Sequence, residues 1–227
     1  MTPKHDNLTS TYYEQQPGLG GFVSRTSWYI RKQMYRDIMA IAQPTETTKI
    51  LDVGVTCDRR QESNFFEKLY PYPHNITAVG VEDASFLEQD HPGLTFVRTD
   101  GSQLPFPDQS FDLVVSFAVI EHVGSRAQQR AFVDELCRVG KQVYITTPNR
   151  WFPVEFHCIL PLVHWLPPKV FRQILRWLGK DFWADEGNLN LLDQATLWSL
   201  FSPTTARQIK HYRLLGLVSN LMIYTHH

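Results

Sequence analysis

The sequence predicts an α/β fold, doubly wound, with a mostly parallel seven-stranded sheet and a C-terminal antiparallel hairpin. Three observations predict it. Short apolar, strand-like runs alternate with helix-like patterns between residues 49 and 148, which is the signature of a parallel sheet built from βα units. Phe111-Asp112-Leu113-Val114-Val115-Ser116-Phe117 is nearly continuous apolar sequence, as a central strand covered on both faces requires. Finally, two strand-like runs, 207–214 and 218–225, flank Gly216, a spacing that suits an antiparallel hairpin. The length of 227 residues is enough for one α/β domain with a full core.

Along the chain, residues 1–23 read as an irregular arm. Ser24 or Thr26 is placed to cap a helix in which Ile30, Met34, Ile38 and Ile41 recur at helical spacing, and Pro44 ends it. Lys49 to Gly54 reads as the first strand and Glu62 to Tyr70 as a helix. Ile76 to Val81 follows as the second strand, Ala84 to Gln89 as a short helix, and Leu94 to Arg98 as the third strand. After the central strand, Gln128 to Val139 reads as a helix and Gln142 to Thr147 as a fifth strand. The aromatic stretch over 148–192 reads as an insertion or lid, and Asp193 is an N-cap for a helix over Gln194 to Phe201.

Composition narrows the function classes. A formal net charge of -1 with 20% charged residues supplies no polycationic surface, so nucleic acid is not an expected partner. Cys57, Cys137 and Cys158 lie far apart with no CxxC pair. Neither a disulfide framework nor a metal site is expected, Cys57 reads as a small buried residue, and a reducing cytoplasm is the expected compartment. The opening residues have no basic segment followed by an apolar stretch, so no secretory signal is expected. The apolar region from Trp151 to Phe171 contains Glu155, two histidines and four prolines, which a membrane-spanning helix would not readily accept.

In a doubly wound sheet, ligands bind beyond the carboxyl ends of the strands, which directs attention to the turns that follow them. Asp52-Val53-Gly54 puts a carboxylate at the first strand end and a glycine where a backbone must approach a ligand closely; the same residues also serve as a simple β-to-α turn. Glu82, at the second strand end, can accept two hydrogen bonds from a ribose diol, each worth about 1.5–3 kcal/mol, or stand solvated beside Asp83. Asp100 with Gly101 ends the third strand, where the carboxylate can accept from an exocyclic amine or form a turn.

Taken in order, Ile50-Leu51-Asp52-Val53-Gly54, Val79-Gly80-Val81-Glu82, Asp100-Gly101-Ser102-Gln103-Leu104-Pro105-Phe106, the run Ser110 to Ser116, and Val119-Ile120-Glu121-His122-Val123 resemble the motif series of the class I S-adenosylmethionine-dependent methyltransferases, type 11 branch of small-molecule enzymes. The resemblance implies a Rossmann-like fold with S-adenosylmethionine as cofactor. It places Asp52 and Gly54 near the methionine part, Glu82 on the ribose, Asp100 and Gly101 on the adenine, and Phe117 and Ala118 along the cofactor. One departure stands out: Thr56 and Asp58 occupy positions where the family's first motif continues with glycine. A Thr56 hydroxyl can replace a backbone contact to the cofactor, and Arg59 or Arg60 can pair with its carboxylate.

Methyl transfer from a sulfonium needs chiefly alignment, and a hydroxyl acceptor benefits from a base. His122 and His157 are the catalytic candidates, with His164 a third; each also reads as a packing or capping residue. Within the insertion, Trp151, Phe152 and Phe156 form an apolar wall and Arg150 and Glu155 orient polar groups, a mixture suited to a small or amphipathic acceptor methylated at oxygen or nitrogen. In Lys169 to Leu178, Val170, Ile174 and Leu178 share one helical face, the face expected to pack, with peripheral contact to a membrane the other use of it. The alternative is a binding or scaffold protein of the same fold with a degenerate cofactor loop. A nicotinamide-dependent oxidoreductase is opposed by the absence of GxGxxG after the first strand. Oligomeric state is not legible in the sequence.

Overall fold

The computed structural model describes residues 20–226; the greater part of the N-terminal arm read from the sequence lies outside the described residues. Two compact units are formed, the first from the residues up to Val115 together with Arg138–Gln142, the second from Ser116–Cys137 and the residues from Val143 onward. The strands make one seven-stranded sheet in the order β3-β2-β1-β4-β5-β9-β8, with β1 Ile50–Val53, β2 Ile76–Gly80, β3 Thr95–Arg98, β4 Phe111–Phe117, β5 Gly140–Pro148, β8 Arg207–Leu214 and β9 Leu217–Thr225. This is the seven-stranded, mostly parallel sheet expected from the sequence.

In the first unit, β1 is parallel to β2 and to β4, and β2 is parallel to β3. All four residues of β1 are buried, as a strand with neighbours on both edges and layers on both faces must be. Helix α1, Gly20–Ala42, buries Ile30, Met34 and Ile38 at a four-residue spacing, while Ile41 is left partly exposed. The helix begins earlier than its sequence suggests. Residues 20–23 belong to it, and Ser24 and Thr26 are interior residues rather than caps; the Ser24 hydroxyl donates instead to the Glu62 carboxylate, 2.8 Å away. Helix α2 is shorter than read, Phe65–Leu69, because Asn64 takes a left-handed φ of 46° and breaks the turn before it. Tyr35 of α1 donates to the Leu69 carbonyl at 2.9 Å and packs edge-on against Phe66. Helix α3 covers Phe86–Asp90.

The chain leaving β1 passes tightly over the end of β2. Gly54, at φ 110°, and Val55 both donate their amides to the Val79 carbonyl, at 2.7 and 3.0 Å. A Cβ on Gly80 would land on the Val55 carbonyl oxygen, so a side chain there is incompatible with the crossing.

In the second unit, β9 runs antiparallel to β5 and to β8. The two-residue link between β8 and β9 has positive φ at Leu215 and Gly216, the backbone that matches the twist of a hairpin. Helix α4, Arg126–Val139, leads into β5. The insertion contains a small hairpin, β6 Val154–Glu155 and β7 Leu160–Pro161, then helices α5 Pro168–Trp177 and α6 Asp181–Ala184. Helix α7, Gln194–Ser199, is capped by Asp193, whose carboxylate accepts from the Thr196 amide at 2.8 Å. The face of α5 expected to pack does not: Phe171 and Leu175 are the buried residues, whereas Val170 and Leu178 are exposed and Trp177 is 76% exposed. No helix among the described residues is long and apolar enough to cross a membrane.

The crossing at Gly80 yields the first prediction. Gly80→Ala should lower the thermal midpoint by about 2–12 °C, from about 1–3 kcal/mol of overpacking. Gly21→Ala, on an open face of α1, should not lower it. Circular dichroism melts of the two variants make the comparison; equal midpoints would mean that the β1 exit has room to move aside.

Candidate functional site

The carboxyl ends of β1, β2 and β3 carry the residues that sequence reasoning assigned to a cofactor. Asp52 is 3% exposed and its nearest ionisable neighbour is Glu67 of α2, 1% exposed. Burial pushes both carboxyls above their usual range, and the charge of Glu67 pushes Asp52 further. A hydrogen bond between the two carboxyls, which requires a proton shared between them, raises Asp52 and lowers Glu67. Arg31 of α1 opposes the shift of Asp52 and donates to the Glu62 carbonyl. Glu67 was not singled out in the sequence, since a glutamate in a helical segment ordinarily faces water.

The loop after Gly54 is closed by its own side chains in place of glycines. Asn64, which is buried, accepts from the Thr56 amide at 2.9 Å and donates to the Thr56 carbonyl at 2.8 Å. The Thr56 hydroxyl accepts from the Asp58 amide at 3.2 Å, and the Asp58 carboxylate accepts from the Arg60 amide and the Ser63 hydroxyl at 3.1 and 2.6 Å. Arg60 also lies 3.2 Å from that carboxylate, and Arg59 stacks over the Phe86 ring at 4.1 Å and reaches Asp90. Both arginines thus have local partners. Asn64 is the residue sequence reasoning missed; an asparagine eight residues beyond an altered glycine loop is the signal, because asparagine tolerates left-handed φ and can bracket a backbone amide and carbonyl.

Glu82 stands half-buried just past β2, next to Asp83, whose carboxylate accepts from the Ser85 amide at 2.9 Å. Past β3, Asp100 is exposed and accepts from the amide and hydroxyl of Ser102 at 2.9 and 2.7 Å, an Asx turn that leads through Gly101 at φ 72°. Cys57, expected to be buried, is exposed, since the loop turns its side chain outward.

The second unit brings His122 and His157 together and leaves His164 apart. Phe117 and Ala118 close β4; both are half-buried, and Ala118 has a φ of 56° with its amide donating to the Thr146 carbonyl at 3.0 Å. A non-glycine residue held there costs about 1–3 kcal/mol, strain of the sort that collects at functional sites. The following turn, Ile120–His122, carries Glu121 and His122. Glu121 is fully buried; one oxygen accepts from the Thr147 hydroxyl at 2.9 Å, and burial pushes the carboxyl up to about 7. The His122 Nδ1 lies 2.6 Å from the Asn188 carbonyl oxygen, so Nδ1 carries the hydrogen. Burial, aided by the charge of His157, lowers His122 to about 3, which makes it a neutral imidazole and a weak base.

His157 sits in the β6–β7 turn with its Nδ1 2.6 Å from a Glu155 oxygen. Burial alone would lower His157, but the Glu155 charge and hydrogen bond raise it. The rings of His122 and His157 are 4.7 Å apart at 85°, and Trp183 lies 5.1 Å from His157. Glu155 does not orient an acceptor from an open wall, as its sequence neighbours suggested. It is 3% exposed and accepts from the amides of His157 and Cys158 at 3.0 and 2.7 Å and from the Cys158 thiol at 2.8 Å. Burial pushes it up, yet these bonds and the His157 charge hold it down at about 2. His164 is buried, with Nε2 2.7 Å from the Phe152 carbonyl oxygen. Of the candidate bases, His157 alone has the arrangement of a histidine backed by a carboxylate.

With this geometry in view, comparison with known proteins is informative. A family model described as a methyltransferase domain matches residues 62–143. A probable S-adenosylmethionine-dependent methyltransferase of Mycolicibacterium smegmatis is 48% identical over 52 residues, 22% of this chain and 19% of that protein. One from Mycobacterium tuberculosis is 38% identical over 63 residues, 26% of this chain and 22% of the relative. The chain spans about a fifth of the length of these curated relatives. Among solved structures, the YcgJ protein from Bacillus subtilis aligns with a TM-score of 0.56 at 14% identity over 86% of this chain and 98% of that one. Magnesium protoporphyrin IX methyltransferase from Synechocystis, with bound SAH, aligns with a TM-score of 0.56 at 13% identity over 96% and 91%. The fold is that of the class I S-adenosylmethionine-dependent methyltransferases. Residues 62–143 are the segment that matches the methyltransferase-domain family.

The Asp52–Glu67 pair predicts a pH dependence. Both folded-state values are raised, so the stability they allow is full below pH about 4, where carboxyls are protonated in either state, and is lost as pH climbs through the raised folded values. Glu67→Gln removes one of the two buried acids and gives Asp52 an amide donor. Its midpoint should exceed the parent's by about 2–4 °C at pH 7.5, the shift that ~1 kcal/mol produces in a chain of this size, and should converge with it near pH 4. A gap that stays constant across the range would rule out the shared proton.

Proposed function

We propose that this protein transfers the methyl group of S-adenosylmethionine to a small or amphipathic acceptor at oxygen or nitrogen. The observation that carries the reading is the succession of polar groups beyond three consecutive parallel strands, Asp52-Gly54, Glu82 and Asp100-Gly101, in a chain whose residues 62–143 match a methyltransferase domain. In it the Glu82 carboxylate accepts from the ribose diol, Asp100 with the backbone about Gly101 takes the adenine, and Gly54 admits the methionine portion. Asp52 supports the loop through Glu67, and Thr56 shapes it through Asn64. Phe117 and Ala118 keep their family assignment as cofactor-lining residues.

The insertion over 148–192 is the acceptor side. A small pocket there is lined by Arg150, His164, Phe171, Arg172, Leu189 and Asn190, and the Arg150 Nε and His164 Nδ1 are buried without a partner. The unpaired Arg150 N–H is satisfied by an anionic or strongly polar group on a ligand, and the His164 Nδ1, an acceptor because Nε2 donates to the Phe152 carbonyl, by a hydroxyl or amine. Trp165, Leu166, Val170, Trp177 and Leu178 are exposed, alongside Lys169 and Arg176 on the surface of the same segment. Apolar side chains rimmed by cations suit an acceptor with a hydrocarbon part, and also peripheral contact with an anionic bilayer surface.

The scaffold reading keeps one specific observation in its favour, the self-closed loop at Thr56 and Asp58. Calorimetry separates the two readings. The parent should bind S-adenosylhomocysteine, and Glu82→Ala should weaken it about 30- to 800-fold, the equivalent of losing about 2–4 kcal/mol of hydrogen bonding to the diol. Absence of binding by the folded parent would leave only the scaffold, and unchanged affinity in Glu82→Ala would take Glu82 out of the site.

A further inference from the structure

The second unit contains one cluster whose polar groups are oriented as though around a point charge. Glu121, His122 and His157 each offer one ligand atom, and the three atoms lie within 4.8 Å of one another; the Glu121 Oε1 and the His122 Nε2 are 3.9 Å apart. A tetrahedral ion with bonds of about 2.05 Å sets its ligands about 3.3 Å apart, so small side-chain rotations bring the three to bonding distance.

Each member is prepared for the role by a different contact. The Asn188 carbonyl oxygen can only accept, so the proton of His122 is on Nδ1 and the Nε2 presents a lone pair. The Glu155 carboxylate fixes His157 in the same way through its Nδ1, and carboxylate–histidine and carbonyl–histidine pairs are what orient metal-binding imidazoles. Glu121 is fully buried: its Oε2 takes the Thr147 hydroxyl, while its Oε1 has no hydrogen-bonding partner. A buried carboxylate oxygen facing two imidazole rings with no donor of its own is an expensive arrangement unless a cation completes it.

We infer that Glu121, His122 and His157 form a binding site for one divalent first-row transition ion, with two imidazole nitrogens and a carboxylate oxygen as ligands and an open position for water or a ligand oxygen. Two nitrogens and one carboxylate favour zinc, cobalt or iron over magnesium or calcium, which take all-oxygen shells. The sequence alone pointed away from a metal because the ligands come from a turn after β4 and a hairpin 35 residues later, with no spacing that reads as a motif.

The test uses the full chain stripped with chelator and dialysed. Titration with zinc, followed by calorimetry and elemental analysis after desalting, should give one tightly bound equivalent more in the parent than in Glu121→Gln or His157→Gln, with affinity reduced at least 100-fold in each. The histidines at 226 and 227 are present in every variant, so ions they capture cancel in the comparison. Circular dichroism checks that the variants fold, and Glu121→Gln retains an oxygen for the Thr147 hydroxyl. Cobalt provides a measurement that needs no variant: the parent should develop the intense visible absorption of a four- or five-coordinate site. Equal uptake by parent and variants, or a parent that neither binds zinc at micromolar concentration nor colours with cobalt, would overturn the site. S-adenosylhomocysteine binding is measured in parallel and bears on the methyltransferase reading alone.

Discussion

A chain leaving a parallel strand must cross its neighbour before it can descend as a helix, and the architecture at the carboxyl ends of the strands depends on the room for that crossing. Here it is made at Gly80. The missing side chain lets the Val55 carbonyl settle on the end of β2, and the Val79 carbonyl then collects two amides, from Gly54 and Val55. That anchor fixes where the loop over 56–64 begins. Because β1, β2 and β3 are parallel and in register, their exits all fall on one edge, which brings residues as far apart in sequence as Gly54, Glu82 and Asp100 to the same edge of the sheet.

Buried carboxylates then differentiate the two units, and the protein deals with them in three ways. Asp52 and Glu67 are both raised by burial, Glu67 raises Asp52 further, and the pair shares a proton. Glu155 stays ionised because His157 and Cys158 surround it with donors. Glu121 is intermediate, with one oxygen satisfied and the other not. The sign of each shift follows from whether donors or another carboxyl stand opposite the group. The half-satisfied case is the one that calls for a further partner, and it lies beside the two oriented imidazoles.

The insertion has an outward apolar surface because its helix α5 packs by Phe171 and Leu175 and, among the described residues, no element lies over Val170 or Trp177, both exposed. An exposed tryptophan and leucine at the end of a basic amphipathic helix carry a hydration cost that a soluble surface does not require.

The fold was legible in the sequence because strand periodicity and strand ends are local properties. Phe111–Phe117 and Arg207–Leu214 occur at the residues their patterns mark, Asp193 caps its helix through a contact three residues away, and the Leu215-Gly216 link turns as a hairpin must. The ordered strand-end residues likewise pointed to the methyltransferase-domain family that residues 62–143 match. Helix starts were less legible: Ser24 has the chemistry of a cap, but a glutamate 38 residues away claims its hydroxyl. Which face of α5 packs, that Glu155 is spent on its own turn, that Glu67 lies against Asp52, and that His157 rather than His164 meets His122 were decided only by the tertiary structure. Each depends on which groups are nearest once water has been excluded, and neither the dielectric around a carboxyl nor its neighbours across the fold are written in the residues beside it.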